Sequence, residues 1–209
     1  MSDLYEILAE KTRAWREAGY PCEEYPAIGE ILDWQTDPES GNLRYLRTPQ
    51  LRALEVYWYL RAIKGTAHVF DLYRELYPNN TDLLNALGLK HSEIHDYVLN
   101  EGLRSLWERL RSDDEFVRNF KLEALRESLF LDYPSYIFAL AMGAGKTVLI
   151  GAIVATEFAM ALEYPEADFA HNALVFAPGK TIVEALRELA EIPYDRILPP
   201  RLYRYFAAS

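Results

Sequence analysis

The feature that most constrains the fold is a glycine-rich turn between two apolar segments. The short apolar run Tyr136–Leu140 precedes the turn 141–147, and a helix-length stretch, Thr147–Leu162, follows it. Glycines at positions 143 and 145 would let main-chain N–H groups approach an anion closely. A lysine, a hydroxyl and the positive end of a helix dipole come next in the chain. This order of residues predicts a phosphate-binding loop.

The residues of the loop have separate predicted roles. Lys146 is expected to contact the β- and γ-phosphates of ATP, and Thr147 is expected to bind Mg²⁺. Both residues are therefore candidate catalytic residues. The strict pattern for such loops has a glycine where this chain has Leu140. An ordinary strand-to-helix turn with an incidental lysine is the alternative interpretation. The other predicted nucleotide contacts from the loop and the first helical turn are Met142, Gly143, Ala144, Gly145 and Val148.

Composition limits the class of protein. The chain has 209 residues, of which 50% are hydrophobic, as in a globular protein. With 32 acidic and 22 basic residues its net charge is −10, so any contact with nucleic acid is expected to be local. The single cysteine, Cys22, excludes an internal disulfide, and the polar N-terminus lacks an apolar signal core. These features predict a cytoplasmic protein with no membrane segment.

Residues 1–134 are predicted to form a mainly helical region. Thr48-Pro49 is typical of a helix start and Gly65 of a helix end, which predicts a helix from Thr48 to about Lys64. The segment Pro21–Asn42 is rich in turn formers and is expected to be irregular. The other predicted helices cover 3–18, 67–77, 80–87, 92–111 and 115–130.

Residues 135–209 alternate between apolar runs and helical patterns. The run Ala173–Ala177 ends at Pro178-Gly179, and residues 181–191 follow with helical spacing. Strands that alternate with helices favour a parallel sheet with its binding site at the carboxyl ends of the strands. The predicted fold class is therefore α/β, with a partial P-loop domain after the helical region.

Two segments resemble motifs of superfamily 2 helicases and translocases of the DEAD/DEAH type. Leu140–Thr147 is similar to motif I of that superfamily, in which a hydrophobic residue normally leads the loop. Ala173–Lys180 resembles motif Ia, which contacts the backbone of the tracked strand. The resemblance implies a RecA-like domain that binds ATP and Mg²⁺, with DNA contacts at Pro178, Gly179, Lys180 and Thr181.

A third segment, 46–54, is similar to the adenine-reading segment of the same superfamily. This similarity makes Gln50 the expected adenine contact, although an exposed polar residue in a first helical turn is an equally good interpretation. The sequence around motif I most resembles that of the restriction (Res) subunit of type III restriction enzymes. That narrower resemblance implies an ATP-dependent DNA helicase or translocase with a modification methyltransferase subunit as a partner.

The superfamily's motif II, Asp-Glu-x-Asp/His after a buried strand, is not found in the chain. The pair Asp114-Glu115 follows a capping serine and no strand, so it is rejected as motif II. Without these carboxylates we expect little or no ATP hydrolysis, and we expect the chain to be an N-terminal fragment of the complete motor. Whether the chain is itself an enzyme is left open.

Other functions and sites are also open to a chain of this kind. A P-loop phosphotransferase, or a helical interaction module with a vestigial loop, are the alternative functions. His91 and His95 have a spacing that could bind zinc, but a solvated helix start is favoured because a third ligand is missing. The aromatic residues could stack on bases, but core packing is favoured for Tyr57, Trp58, Tyr59, Phe70, Tyr73 and Tyr77.

Overall fold

The computed structural model describes residues 3–176 and 186–208. Helix dominates: 61% of the described residues are helical and 1% are strand. A π-helical turn (Tyr59–Ile63) extends α3, and two 3₁₀ segments, Leu186–Glu191 and Tyr194–Arg196, precede the last helix. The α-helices of the described residues are α1 (Leu4–Glu17), α2 (Ala27–Trp34), α3 (Thr48–Trp58), α4 (Val69–Leu76), α5 (Asn80–Ala86), α6 (Ser92–Ser112), α7 (Asp114–Asn119), α8 (Glu123–Leu129), α9 (Lys146–Glu163) and α10 (Pro200–Phe206).

The predicted α/β fold with a parallel, RecA-like sheet is wrong. The described residues contain no sheet, and their one β-bridge joins Thr36 to Leu43. Neither apolar run forms a strand where it is described, and Ile137, Leu174 and Phe176 have 93%, 80% and 86% of their surface exposed. A short apolar run needs paired neighbours to become a strand, and periodicity alone cannot show that such neighbours exist.

The chain divides into two compact units that are each discontinuous in sequence. One consists of residues 1–8 and 66–137, and the other of residues 9–65 and 138–209. The predicted division at residue 134 describes a change in sequence pattern and stays a prediction.

The unit that contains α4 to α8 has an aliphatic core with one phenylalanine. Its long helix α6 is kinked at Gly102, whose φ of +85° is outside the helical region and suits a residue with no Cβ. The predicted helix 115–130 is divided into α7 and α8 at Lys121, which has a φ of +55°. The buried core consists of Leu84, Leu89, Ile94, Val98, Leu106, Leu110, Phe116, Val117 and Leu122.

The other unit contains α2, α3, α9 and α10. The central helix is α9, and its small buried residues, such as Ala152 and Ala155, allow neighbouring elements to pack closely against it. A Cβ atom at Gly151 would meet side chains of Leu189, Ile192 and Tyr194, so the glycine at this position makes room for the C-terminal segment. Trp58 of α3 is fully buried in this unit.

Local patterns located most of these helices correctly. The predictions for α1, α4, α5 and α9 are confirmed within one or two residues. The helix predicted from Thr48 to about Lys64 is formed by α3 together with its π-helical turn, and Gly65 follows with a φ of +59°. The prediction that Pro21–Asn42 is irregular is wrong in part, because α2 forms within it. The helix forms there because Ile28, Ile31 and Leu32 are buried in the core of the unit.

Candidate phosphate-binding site

The predicted phosphate loop is a tight turn that leads directly into α9. Gly143 and Gly145 have φ angles of +77° and +78°, and Gly145 is the N-cap of the helix. The main-chain N–H of Ala144 donates to the Ala141 carbonyl at 3.2 Å, which closes the turn. Only glycine adopts these φ values without strain, so the two predicted glycines are required by the conformation of the loop.

Lys146 is the first residue of α9 and folds back over the loop. Its Nζ donates to the Ala141 carbonyl at 3.1 Å, and its side chain is exposed. Met142 at the tip of the turn is 99% exposed, whereas Thr147 and Val148 are half-buried on the first turn of the helix. All the residues predicted from the loop pattern therefore lie in or beside one turn, with a cation above it.

The structure places Gln50 beside this loop. Its Nε2 donates to the Gly145 carbonyl at 2.9 Å, and its Oε1 accepts from the Arg47 main-chain N–H at 2.7 Å. Only 2% of Gln50 is exposed. A Cβ atom at Gly145 would overlap Gln50 Nε2. The segment 46–54 and the loop, which are far apart in the sequence, thus form one site, while adenine reading by Gln50 stays a prediction.

Sequence reasoning missed Arg47 as a member of this site. Its guanidinium is exposed and donates to the Gly143 carbonyl at 3.2 Å. A signal for it was present, because Arg47 lies next to the predicted helix start and three residues before Gln50. With Lys146 it gives the loop two cationic side chains in a chain whose net charge is −10.

The helices α3 and α9 both begin at the loop and advance away from it in the same direction. Gln50 meets Gly145 at one end, and farther along the pair Trp58 Nε1 donates to Thr156 Oγ1 at 3.2 Å. Since a helix rises about 1.5 Å per residue, both contacts fit two helices that advance in the same direction. Their positive dipole ends therefore lie at the same place, which favours an anion there.

A buried carboxylate holds the two helices in register. Glu157 of α9 is 3% exposed and accepts hydrogen bonds from the Tyr57 hydroxyl (2.6 Å), Arg61 Nε (3.0 Å) and the Ala170 main-chain N–H (2.9 Å). Burial, and then the charge of Glu157, raise the pKa of Tyr57 far above its ordinary value. The hydroxyl therefore remains protonated and able to donate.

A second buried carboxylate on α3 joins this helix to α1 and the turn that follows α1. Glu55 has no exposed surface and accepts hydrogen bonds from Arg16, Tyr20 and Arg52. Burial raises the pKa of Glu55, while the hydrogen bond from Tyr20 and the charge of Arg16 act in the opposite direction. Charged and hydrogen-bonded partners are what a buried carboxylate requires, so this group fixes α3 as a rigid side of the site.

The other predicted sites have different outcomes. Pro178, Gly179, Lys180 and Thr181, predicted to contact DNA, lie outside the described residues. No cluster of His, Cys, Asp or Glu that could hold a metal ion occurs in the described parts of the chain, and His95 Nε2 instead lies 2.8 Å from the Leu89 carbonyl. Binding of Mg²⁺ by Thr147 stays a prediction.

The aromatic residues mainly serve packing, as the sequence favoured. Trp58, Tyr59 and Tyr77 are buried. Phe70 packs edge-on against Trp107, with ring centroids 4.6 Å apart, and Tyr73 stacks on Tyr77. These contacts leave the rings engaged with other side chains rather than presented to bases.

None of the helices in 3–176 and 186–208 is long and apolar enough to cross a membrane. Comparison of the chain with protein-family models, curated proteins and solved structures gave no match.

Proposed function

We propose that the loop 141–147 binds the phosphates of ATP together with Mg²⁺. The observation that carries this proposal is the conformation of the loop: two glycines at positive φ lead into α9, and Lys146 lies folded over the turn. Main-chain N–H groups at the start of a helix, a lysine and a helix dipole together favour a polyphosphate. The parallel start of α3 adds a second dipole of the same sign.

The side chains have distinct roles in this proposal. Lys146 exchanges the Ala141 carbonyl for a β- or γ-phosphate oxygen, and this replaces a neutral acceptor by a charged one. Thr147, half-buried on the first turn, supplies a hydroxyl for Mg²⁺. Arg47 lies close enough to the loop to add a second positive charge.

We further propose that ATP binding serves an ATP-dependent DNA helicase or translocase. This wider proposal rests on the resemblance of 46–54, 140–147 and 173–180 to superfamily 2 motifs, and of the loop to the restriction subunit of type III enzymes. DNA would be contacted near Pro178–Thr181, and a modification methyltransferase subunit would be a partner. With a net charge of −10, the chain would make this DNA contact over a small part of its surface only.

Nucleotide binding is tested by titrating the purified chain with a fluorescent ATP analogue in the presence of Mg²⁺. Lys146→Ala should weaken binding by about tenfold or more, because a hydrogen bond to a charged group contributes about 1.5–3 kcal/mol. Lys90→Ala is the matched control, since Lys90 is an exposed lysine in the other compact unit. Equal binding by Lys146→Ala and the control would reject the proposed site.

The DNA proposal is tested by repeating the titration with short duplex DNA present. We expect DNA to tighten ATP binding in the unmodified chain, and Lys180→Ala to reduce this coupling without changing binding of ATP alone. Coupling is measured as the ratio of the two dissociation constants. Release of ADP that depends on a small-molecule acceptor and ignores DNA would instead favour a phosphotransferase.

A further inference from the structure

The amide of Gln50 is engaged at both ends with the main chain. Its Oε1 accepts from the N–H of Arg47 and its Nε2 donates to the carbonyl of Gly145. The side chain is 2% exposed, so the remaining lone pair and the remaining N–H are shielded from solvent. An amide that reads a base presents both groups to the ligand, and this amide presents them to the protein.

The hydrogen bond to Gly145 acts on the residue that shapes the phosphate loop. Gly145 is the N-cap of α9 at a φ of +78°, and its carbonyl also accepts the N–H of Leu149 in the first helical turn. By holding this carbonyl, Gln50 sets the orientation of the peptide groups on which the loop N–H donors depend. Arg47 adds a contact to Gly143 from the same end of α3.

We propose that Gln50 is a positioning residue for the phosphate loop, and that the site recognises the triphosphate without selecting the base. This inference rests on the proposed binding of ATP and names the wider ligand class, nucleoside triphosphates with Mg²⁺. The Gly145 hydrogen bond joins residues 95 positions apart and links the start of α3 to the start of α9. The bound base would then lie against the protein surface, and the Gln50 amide would not pair with it.

Competition against a fluorescent ATP analogue tests the selectivity directly. The competitors are ATP, GTP, CTP and inorganic tripolyphosphate, each with Mg²⁺ and the unmodified chain. We expect the three nucleotides to compete within about threefold of one another, because a site that pairs a base edge discriminates by far larger factors. Tripolyphosphate should also compete. A preference for ATP over GTP of about tenfold or more would overturn the inference and leave ATP binding standing.

Gln50→Met separates hydrogen bonding from packing, since methionine has a similar length and no amide. This variant should weaken ATP and GTP by the same factor, about tenfold, while circular dichroism shows unchanged helix content. Gln50→Ala should also weaken ATP and GTP by equal factors, and it additionally removes the packing of the side chain. Unchanged affinity in Gln50→Met, or a loss confined to ATP, would overturn the positioning role. If the unmodified chain binds neither nucleotides nor tripolyphosphate, the proposed function fails and this inference fails with it.

Discussion

The hydroxyl of Tyr57 donates a 2.6 Å hydrogen bond to Glu157 Oε1 and so joins the C-terminal end of α3 to the middle of α9. This contact lies at the far end of the helix pair from the phosphate loop. Together with the Trp58–Thr156 hydrogen bond, it fixes how far the two helices advance along one another. The position of Gln50 against Gly145 depends on that register, so the packing of the pair determines the geometry of the site.

Glu157→Ala should be among the most destabilising single substitutions in this unit. It removes the buried acceptor that the Tyr57 hydroxyl, Arg61 Nε and the Ala170 N–H share. Breaking one side of a buried charge pair costs about 3–5 kcal/mol of unfolding free energy. Tyr57→Phe removes one of these hydrogen bonds and should cost about 1 kcal/mol. Urea denaturation measures both, and equal effects would contradict this account of the cluster.

Thr156→Val should destabilise the helix pair although it conserves side-chain volume. The Thr156 hydroxyl accepts from Trp58 Nε1 and donates to the Ala152 carbonyl, and Thr156 and Trp58 are both fully buried. Valine leaves the indole N–H unpaired, which costs about 1–3 kcal/mol. Thr156→Ser is the control because it keeps the hydroxyl. A valine variant that unfolds at the same urea concentration as the unmodified chain would exclude a role for this hydrogen bond.

Gly145→Ala should cost more than Gly143→Ala, although the two φ angles are nearly equal. A Cβ at Gly145 overlaps Gln50 Nε2, whereas a Cβ at Gly143 has no atom within 4 Å. The left-handed conformation alone costs about 1–2 kcal/mol for a residue with a Cβ. In a Gln50→Ala background the extra cost of Gly145→Ala should vanish, which a double-mutant cycle by urea denaturation measures. An additive cycle would show that the two residues do not interact.

Asp113 should make stability depend on pH in the acid range. The Phe116 main-chain N–H and then Arg109 lower the pKa of Asp113, so the folded protein favours the carboxylate. A lowered pKa adds stability that is present above the unfolded-state pKa of about 3.9 and is lost as the pH falls through the lower folded-state value. Asp113→Asn keeps a capping side chain without this titration.

The measurement is the urea midpoint of both proteins at about pH 5 and about pH 3, on either side of the ordinary aspartate pKa. The midpoint of the unmodified chain should fall more between these values than that of Asp113→Asn. Parallel falls would mean that Asp113 does not contribute to the acid sensitivity. Asp113→Ala, which removes the cap as well, should be less stable than Asp113→Asn at both pH values.

Individual helices were predictable from the sequence where the signal for them is local. The Thr48-Pro49 start and the Gly65 end located the α3 region, and the apolar stretch after Lys146 located α9, because capping and helical spacing act over a few residues. The helix α2 was missed because its stability comes from burial of Ile28 and Ile31 among residues distant in the sequence. The strand predictions were wrong because they rested on apolar character alone, and the sequence does not show whether a second strand pairs with each run.

The candidate site shows the same contrast between local signals and contacts that are distant in the sequence. The sequence by itself determined the glycine turn 141–147, since Gly143 and Gly145 are needed for its φ angles and Lys146 begins the helix that follows. It also placed a helix start before Gln50. Only the tertiary structure decided that Gln50 and Arg47 contact the loop, and that the apolar runs form no sheet in the described residues. The physical reason is that contacts across such separations depend on how whole helices pack, and local patterns carry no record of that packing.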